Sequence, residues 1–191
     1  LTFVDGRGSI VAAGGRVVKN VAGFDLTRVL IGSWGTLGII TAAVLRLFPR
    51  PRAVETAFIG VPSPHAALTL LNLAEERAGG NVTSFELIPR IALEFAVKHA
   101  PMCRDPLAGA HRWYVLLELS SQAREGLRAM MEDILMTAAE RRLLDDATIA
   151  ENLEQTKAFW LLRHHIADTQ KYEGGSIKHD VSVPVNAVPD F

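Results

Sequence analysis

Cysteine is almost missing: Cys103 stands alone in 191 residues, so no internal disulfide can form and a reducing compartment, the cytoplasm, is expected. Long apolar runs are missing too. The longest, such as residues 39–45, fall far below the roughly 18–20 residues a membrane helix needs, and no secretory leader is visible. Charge of one sign is never concentrated. Lys and Arg number 20 against 21 Asp and Glu, without a block of either, so nucleic acid is not an expected partner. No G-x-S-x-G is present, which argues against a hydrolase.

Histidines are scattered. His65, His99 and His111 stand apart, and His164 and His165 are adjacent, so on a helix they diverge by about 100°. His179 follows Lys178 and on a strand would face the opposite way. No HxH or HxxxH spacing exists, and no metal site is expected within the chain. The pairs Glu75-Glu76 and Asp145-Asp146 read as solvated.

What is present is ordinary for a soluble domain. Hydrophobic residues make up 49% and charged residues 21%, enough to bury a core in one large domain or two small ones. Two short apolar runs, residues 1–4 and 9–12, flank Asp5-Gly6-Arg7-Gly8, a hairpin cue. Residues 25–30 suggest one helical turn capped by Asp25. Residues 38–48 read as a long strand ended by Pro49 and Pro51, and this proline stretch is the expected domain boundary. Beyond it strands (54–61, 83–88, 113–119, 146–150, 176–185) alternate with helices (64–78, 91–99, 122–144, 153–171). A loop rich in Pro and Gly is expected at 101–111. The helix at 122–144 places Leu127, Met130, Met131, Ile134, Leu135 and Ala138 on one face, as core. Such alternation predicts an α+β fold with helices covering one face of a sheet.

The most informative stretch is KNVAGFDLTRVLIGSWGTLGIITAAVLRLFPRP, residues 19–51. Gly32, Gly35 and Gly38 stand three apart, with Gly23 upstream, and a β-branched run follows. Glycine has no Cβ and lets another group approach the backbone. The spacing is GxxGxxG rather than the GxGxxG of dinucleotide-binding units, and no strong helix signal follows it. A ligand-facing loop and a tight structural turn both fit.

The segments GFDLTRVLIGSWGTLGIIT, LRLFPRP, WLLR and GGSIKHDVSVP, in that order, resemble the vanillyl-alcohol oxidase/PCMH-type FAD-linked oxidases, in the D-2-hydroxyacid dehydrogenase branch. The resemblance implies the end of a PCMH-type FAD-binding domain over residues 1–51. A truncated substrate domain of ferredoxin-like α+β arrangement would follow over 52–191. It implies a flavoprotein oxidising a D-2-hydroxy acid, 2-hydroxyglutarate- or lactate-like, by hydride transfer to FAD. Flavin contacts would fall on the backbone of Gly35, Thr36, Gly38, Ile39 and Ile40, with Asn20 and Gly23 beside them. Substrate contacts would be Arg163 and Lys178. On their own these two read as a solvated helix arginine and an outward-facing strand lysine.

Two departures stand out. Trp34 occupies a position where the family often has Glu, which leans toward the FAD-binding subunit of a glycolate oxidase complex. Ala167 stands where relatives acting on 2-hydroxyglutarate carry Thr one turn after the Arg. A non-catalytic binding module is the other alternative. The chain starts at Leu1 and stops at Phe191. With the resemblance, a fragment is expected that lacks the pyrophosphate loop upstream and the catalytic, divalent-metal-binding histidine motif downstream. The electron acceptor would be an electron-transfer flavoprotein or the quinone pool. A homo-oligomer or a partner flavoprotein subunit is compatible with the resemblance.

Overall fold

The computed structural model describes residues 1–14 and 23–191, which form two compact units, Leu1–Pro49 and Arg50–Phe191. In the first unit β1 (Thr2–Val4) pairs antiparallel with both β2 (Ile10–Ala12) and β3 (Ile39–Ala42). The hairpin forms as its Asp-Gly cue predicts: Asp5 Oδ1 accepts from the backbone N–H of Arg7 at 2.9 Å and of Ser9 at 2.8 Å. Helix α1 (Leu26–Leu30) is capped by Asp25, which accepts from Arg28 N–H at 3.2 Å. Phe3, Ala13 and Leu30 form its small core. The long strand expected over residues 38–48 is only four residues, because its partner β1 supplies three residues of ladder and an extended chain without a ladder is not a strand.

The second unit runs β4 (Ala53–Val61), α2 (Pro64–Ala78), β5 (Val82–Pro89), α3 (Arg90–His99), β6 (Trp113–Ser121), α4 (Leu127–Glu140), β7 (Asp146–Ile149) and α5 (Leu153–Thr169). The sheet order is β5-β6-β4-β7, and every neighbouring pair is antiparallel. Setting α3 aside, this is β-α-β-β-α-β in the ferredoxin-like order, and the fold is α+β. Helix α2 starts at Pro64 behind Ser63, whose Oγ accepts from Ala66 N–H at 3.1 Å, and it stops at Gly79 with φ of 58°.

Helices cover both faces of this sheet, not one as the alternation suggested. On one side α2 and α4 pack against Ala57, Ile59, Val61, Val115, Leu117 and Leu119. On the other, α3 and α5 pack against Phe58, Tyr114 and Leu116. The reason is written in β4 and β6, where nearly unbroken apolar runs leave neither face fit for water. Helix α4 is shorter than the expected 122–144. It begins after Gly126, at φ of 86°, and of the predicted stripe Leu127, Met131, Ile134, Leu135 and Ala138 are buried while Met130 is half-buried at its edge.

No strand forms over residues 176–185. The apolar alternation is present, but among the described residues neither edge strand, β5 or β7, takes another partner. Lys178 and His179 therefore lie in exposed irregular chain, and the alternation argument for their facing opposite ways falls with the strand. Helix α5 ends at Thr169 and tightens into a 3₁₀ turn, Gln170–Glu173, rather than running to 171.

Candidate functional site

Helix α5 is capped by Asn152, whose Oδ1 accepts from Gln155 N–H at 3.0 Å. It buries Phe159 and Leu162 on the sheet. That anchoring sets Arg163 and Ala167, four residues apart, beside β5, with Trp160 one turn earlier reaching Glu118 of β6. From the sheet, Glu86 comes up beside the helix. Glu86 pairs in register with Leu116, so it shares the face that α3 and α5 cover.

Between these elements lies an open cavity of about 220 Å³, lined by Glu86, Ile88, Ala92, Arg163, Ala167 and Gln170 among others. Arg163 Nε–H donates to Glu86 Oε2 at 3.2 Å. Among the described residues no hydrogen bond or ion pair engages the two terminal nitrogens of Arg163. A guanidinium with its terminal pair free can take a carboxylate through two parallel hydrogen bonds. Lys178 reaches the same end of α5: its ammonium lies 3.4 Å from the carbonyl oxygen of Ala167. A cation there also meets the negative end of the helix dipole.

Upstream of the Lys178 segment, Glu173 is tied to α3. It accepts from Lys98 Nζ at 2.7 Å and contacts His99 Nε2. Lys98 foremost, and then His99, hold its carboxyl below the usual carboxylate range. Tyr172 stacks obliquely on the His99 ring, with centroids 5.2 Å apart. Among the described residues no cluster of three or more His, Cys, Asp or Glu side chains could hold a metal.

In the first unit, the glycine bend is exposed. Trp34 at its tip is 97% accessible with φ of 54°, and Ile39 and Ile40 are also open to solvent. Thr36 is held within the bend, its hydroxyl donating to Ser33 O at 2.6 Å. The glycines are not equivalent. A Cβ on Gly38 would lie 2.7 Å from Val4 O and 3.0 Å from the Phe3 ring, so β1 occupies the space beside it. Gly23 has open space where a Cβ would stand, and at Gly35 only the tip of Ile39 comes near, at 3.6 Å. The bend is thus open to solvent at Gly35, Thr36, Ile39 and Ile40. At Gly38 the glycine has a structural explanation already. Asn20 lies outside the described residues.

Residues 50–191 match the family model described as FAD linked oxidases, C-terminal domain. The chain belongs to that family. As an FAD-linked oxidase chain it is similar to the mitochondrial D-2-hydroxyglutarate dehydrogenase of Arabidopsis thaliana, 28% identical over 188 residues, which are 98% of this chain and 34% of that protein. The D-2-hydroxyglutarate dehydrogenase of Xanthomonas citri pv. viticola is 31% identical over 192 residues, covering 100% of this chain and 39% of that one. The mitochondrial enzyme of Danio rerio is 29% identical over 176 residues, 91% of this chain and 32% of its own length. The chain thus spans about a third of the curated relatives it matches. These findings bear out the D-2-hydroxyacid dehydrogenase branch that the motifs resembled. No helix among the described residues is long and apolar enough to cross a membrane.

Sequence reading missed Glu86. The signal was present, since Glu86 is the lone charge in the strand VTSFELIP. So is Glu118 in WYVLLELSS, which pairs with Trp160. An isolated carboxylate in an otherwise apolar strand must find a donor on the helix that covers it.

Proposed function

We propose that this chain is part of an FAD-dependent dehydrogenase of D-2-hydroxy acids, with residues 1–51 ending its flavin domain and 52–191 forming its substrate domain. The observation that carries the reading is Arg163: it lines a cavity with its terminal nitrogens unpaired, and Lys178 meets the same helix end. The guanidinium binds the acid's carboxylate end-on, and Lys178 adds a second positive charge. Holding the acid at these two points fixes which way its α-carbon faces, and such orientation lowers barriers by restricting motion before reaction. Ala92 and Ile88 line the cavity with apolar surface that suits a small aliphatic acid. The methyl side chain of Ala167 offers no hydrogen bond one turn beyond Arg163, which favours a short lactate-like acid over one needing a second polar anchor.

Bound FAD supplies the acceptor for the hydride that leaves the α-carbon. The residues of this chain suited to hold it are Gly35, Thr36, Ile39 and Ile40, with Gly23 beside the bend. No described residue is assigned as the base that takes the hydroxyl proton. The electron acceptor is of the electron-transfer flavoprotein or quinone type. The single buried, free Cys103 supports a reducing compartment such as the cytoplasm.

Arg163→Ala in the native full-length protein should raise KM for the acid at least about tenfold, the loss expected for a charged hydrogen-bonding partner. An unchanged KM removes Arg163 from the site.

A further inference from the structure

Resting on the reading that Arg163 grips the acid, we propose that Glu86 is the positioning residue that presents the guanidinium for that grip. Arginine can meet a carboxylate through its two terminal nitrogens or through Nε and one of them. Glu86 Oε2 already takes Nε–H at 3.2 Å. The side-on mode is therefore occupied, and the end-on mode is left for the ligand. Glu86 is well placed to hold it: its strand is paired to β6 through the whole stretch from Ser84 to Pro89, and opposite it Leu116 is fully buried.

Two effects oppose each other. The Glu86 charge offsets part of the attraction between Arg163 and an acid, while its hydrogen bond restricts a long side chain that would otherwise sample many rotamers. The Arg163 and Glu86 side chains are 42% and 34% exposed, so water screens the charge effect. Ordering outweighs repulsion here. The two can be separated because glutamine keeps the acceptor and loses the charge.

The test uses the native full-length protein, with D-lactate and D-2-hydroxyglutarate as probe substrates and oxalate binding by calorimetry as a readout without turnover. Glu86→Ala should raise KM and weaken oxalate about tenfold while changing kcat less than about twofold. Glu86→Gln should bind as tightly as wild type or tighter. The Glu86→Ala/Arg163→Ala double variant should match Arg163→Ala within about twofold, since each acts through the other. If Glu86→Ala fails to fold, Glu86→Asp, one methylene short of Nε, takes its place with the same expected rise. A KM unchanged or lowered by Glu86→Ala overturns the proposal, as does Glu86→Gln behaving like Glu86→Ala, or a fully additive double variant. If Arg163→Ala alone leaves KM and oxalate binding unchanged, the acid-site reading has failed first, and the role of Glu86 falls with it.

Discussion

The indole N–H of Trp160 donates to Glu118 Oε2 across 2.7 Å, tying α5 to β6 one helical turn before Arg163. The fully buried Thr56 donates more loosely to the same oxygen, at 3.4 Å. Trp160→Phe keeps an aromatic ring, smaller than the indole, and deletes the donor, leaving a half-buried carboxylate with two long hydroxyl contacts, Thr56 at 3.4 Å and Thr83 at 3.5 Å. A loss of about 1.5 kcal/mol is expected, the low end for a hydrogen bond to a charged group because water reaches this one. Urea unfolding measures it, and an unshifted midpoint would show that the contact holds nothing together.

A second expectation concerns β4. Gly60 has the His111 ring against it, so close that an added Cβ would stand 2.5 Å from Cγ. The ring has little room to retreat, since Tyr114 meets it edge-on with centroids 5.8 Å apart. Gly60→Ala should cost about 1–3 kcal/mol through overpacking. Adding His111→Ala should restore part of the loss, because it removes the obstacle. A double variant no more stable than Gly60→Ala would place the strain elsewhere.

Acid should loosen the 3₁₀ turn after α5. The Glu173 carboxyl is held below its usual range, first by Lys98 and then by His99. A carboxylate whose folded pKa is depressed stabilises above its unfolded value, about 4.3, and loses that contribution as pH falls through the folded one. The Tm difference between wild type and Glu173→Gln should persist above about pH 5 and close as pH drops below about 4. Thermal melts across that range decide it, and a difference independent of pH would count against the pairing.

Much of the second unit was legible in its residues. The limits of α2 follow from Ser63, Pro64 and Gly79, and the buried face of α4 from its spacing of three and four. These signals are local, and a cap or stripe acts within a turn or two of itself. The errors fell where a partner was needed. Residues 176–185 and 43–48 look like strand, but a strand exists only when another chain segment supplies its ladder. Coverage of both sheet faces was likewise visible only as unbroken apolar runs in β4 and β6.

From the residue order alone came the family, the glycine bend and the naming of Arg163 and Lys178, since these rest on motifs that survive in one dimension. Tertiary packing alone decided that Glu86, some 77 positions away along the chain, meets Arg163. It also decided that Lys178 folds back on Ala167. The physical cause is the β5-β6-β4-β7 order, which sets β5 beside Arg163 and Ala167 of α5. A half-buried carboxylate announces that it needs a cation, but only the crossing of a helix over a strand chooses which one.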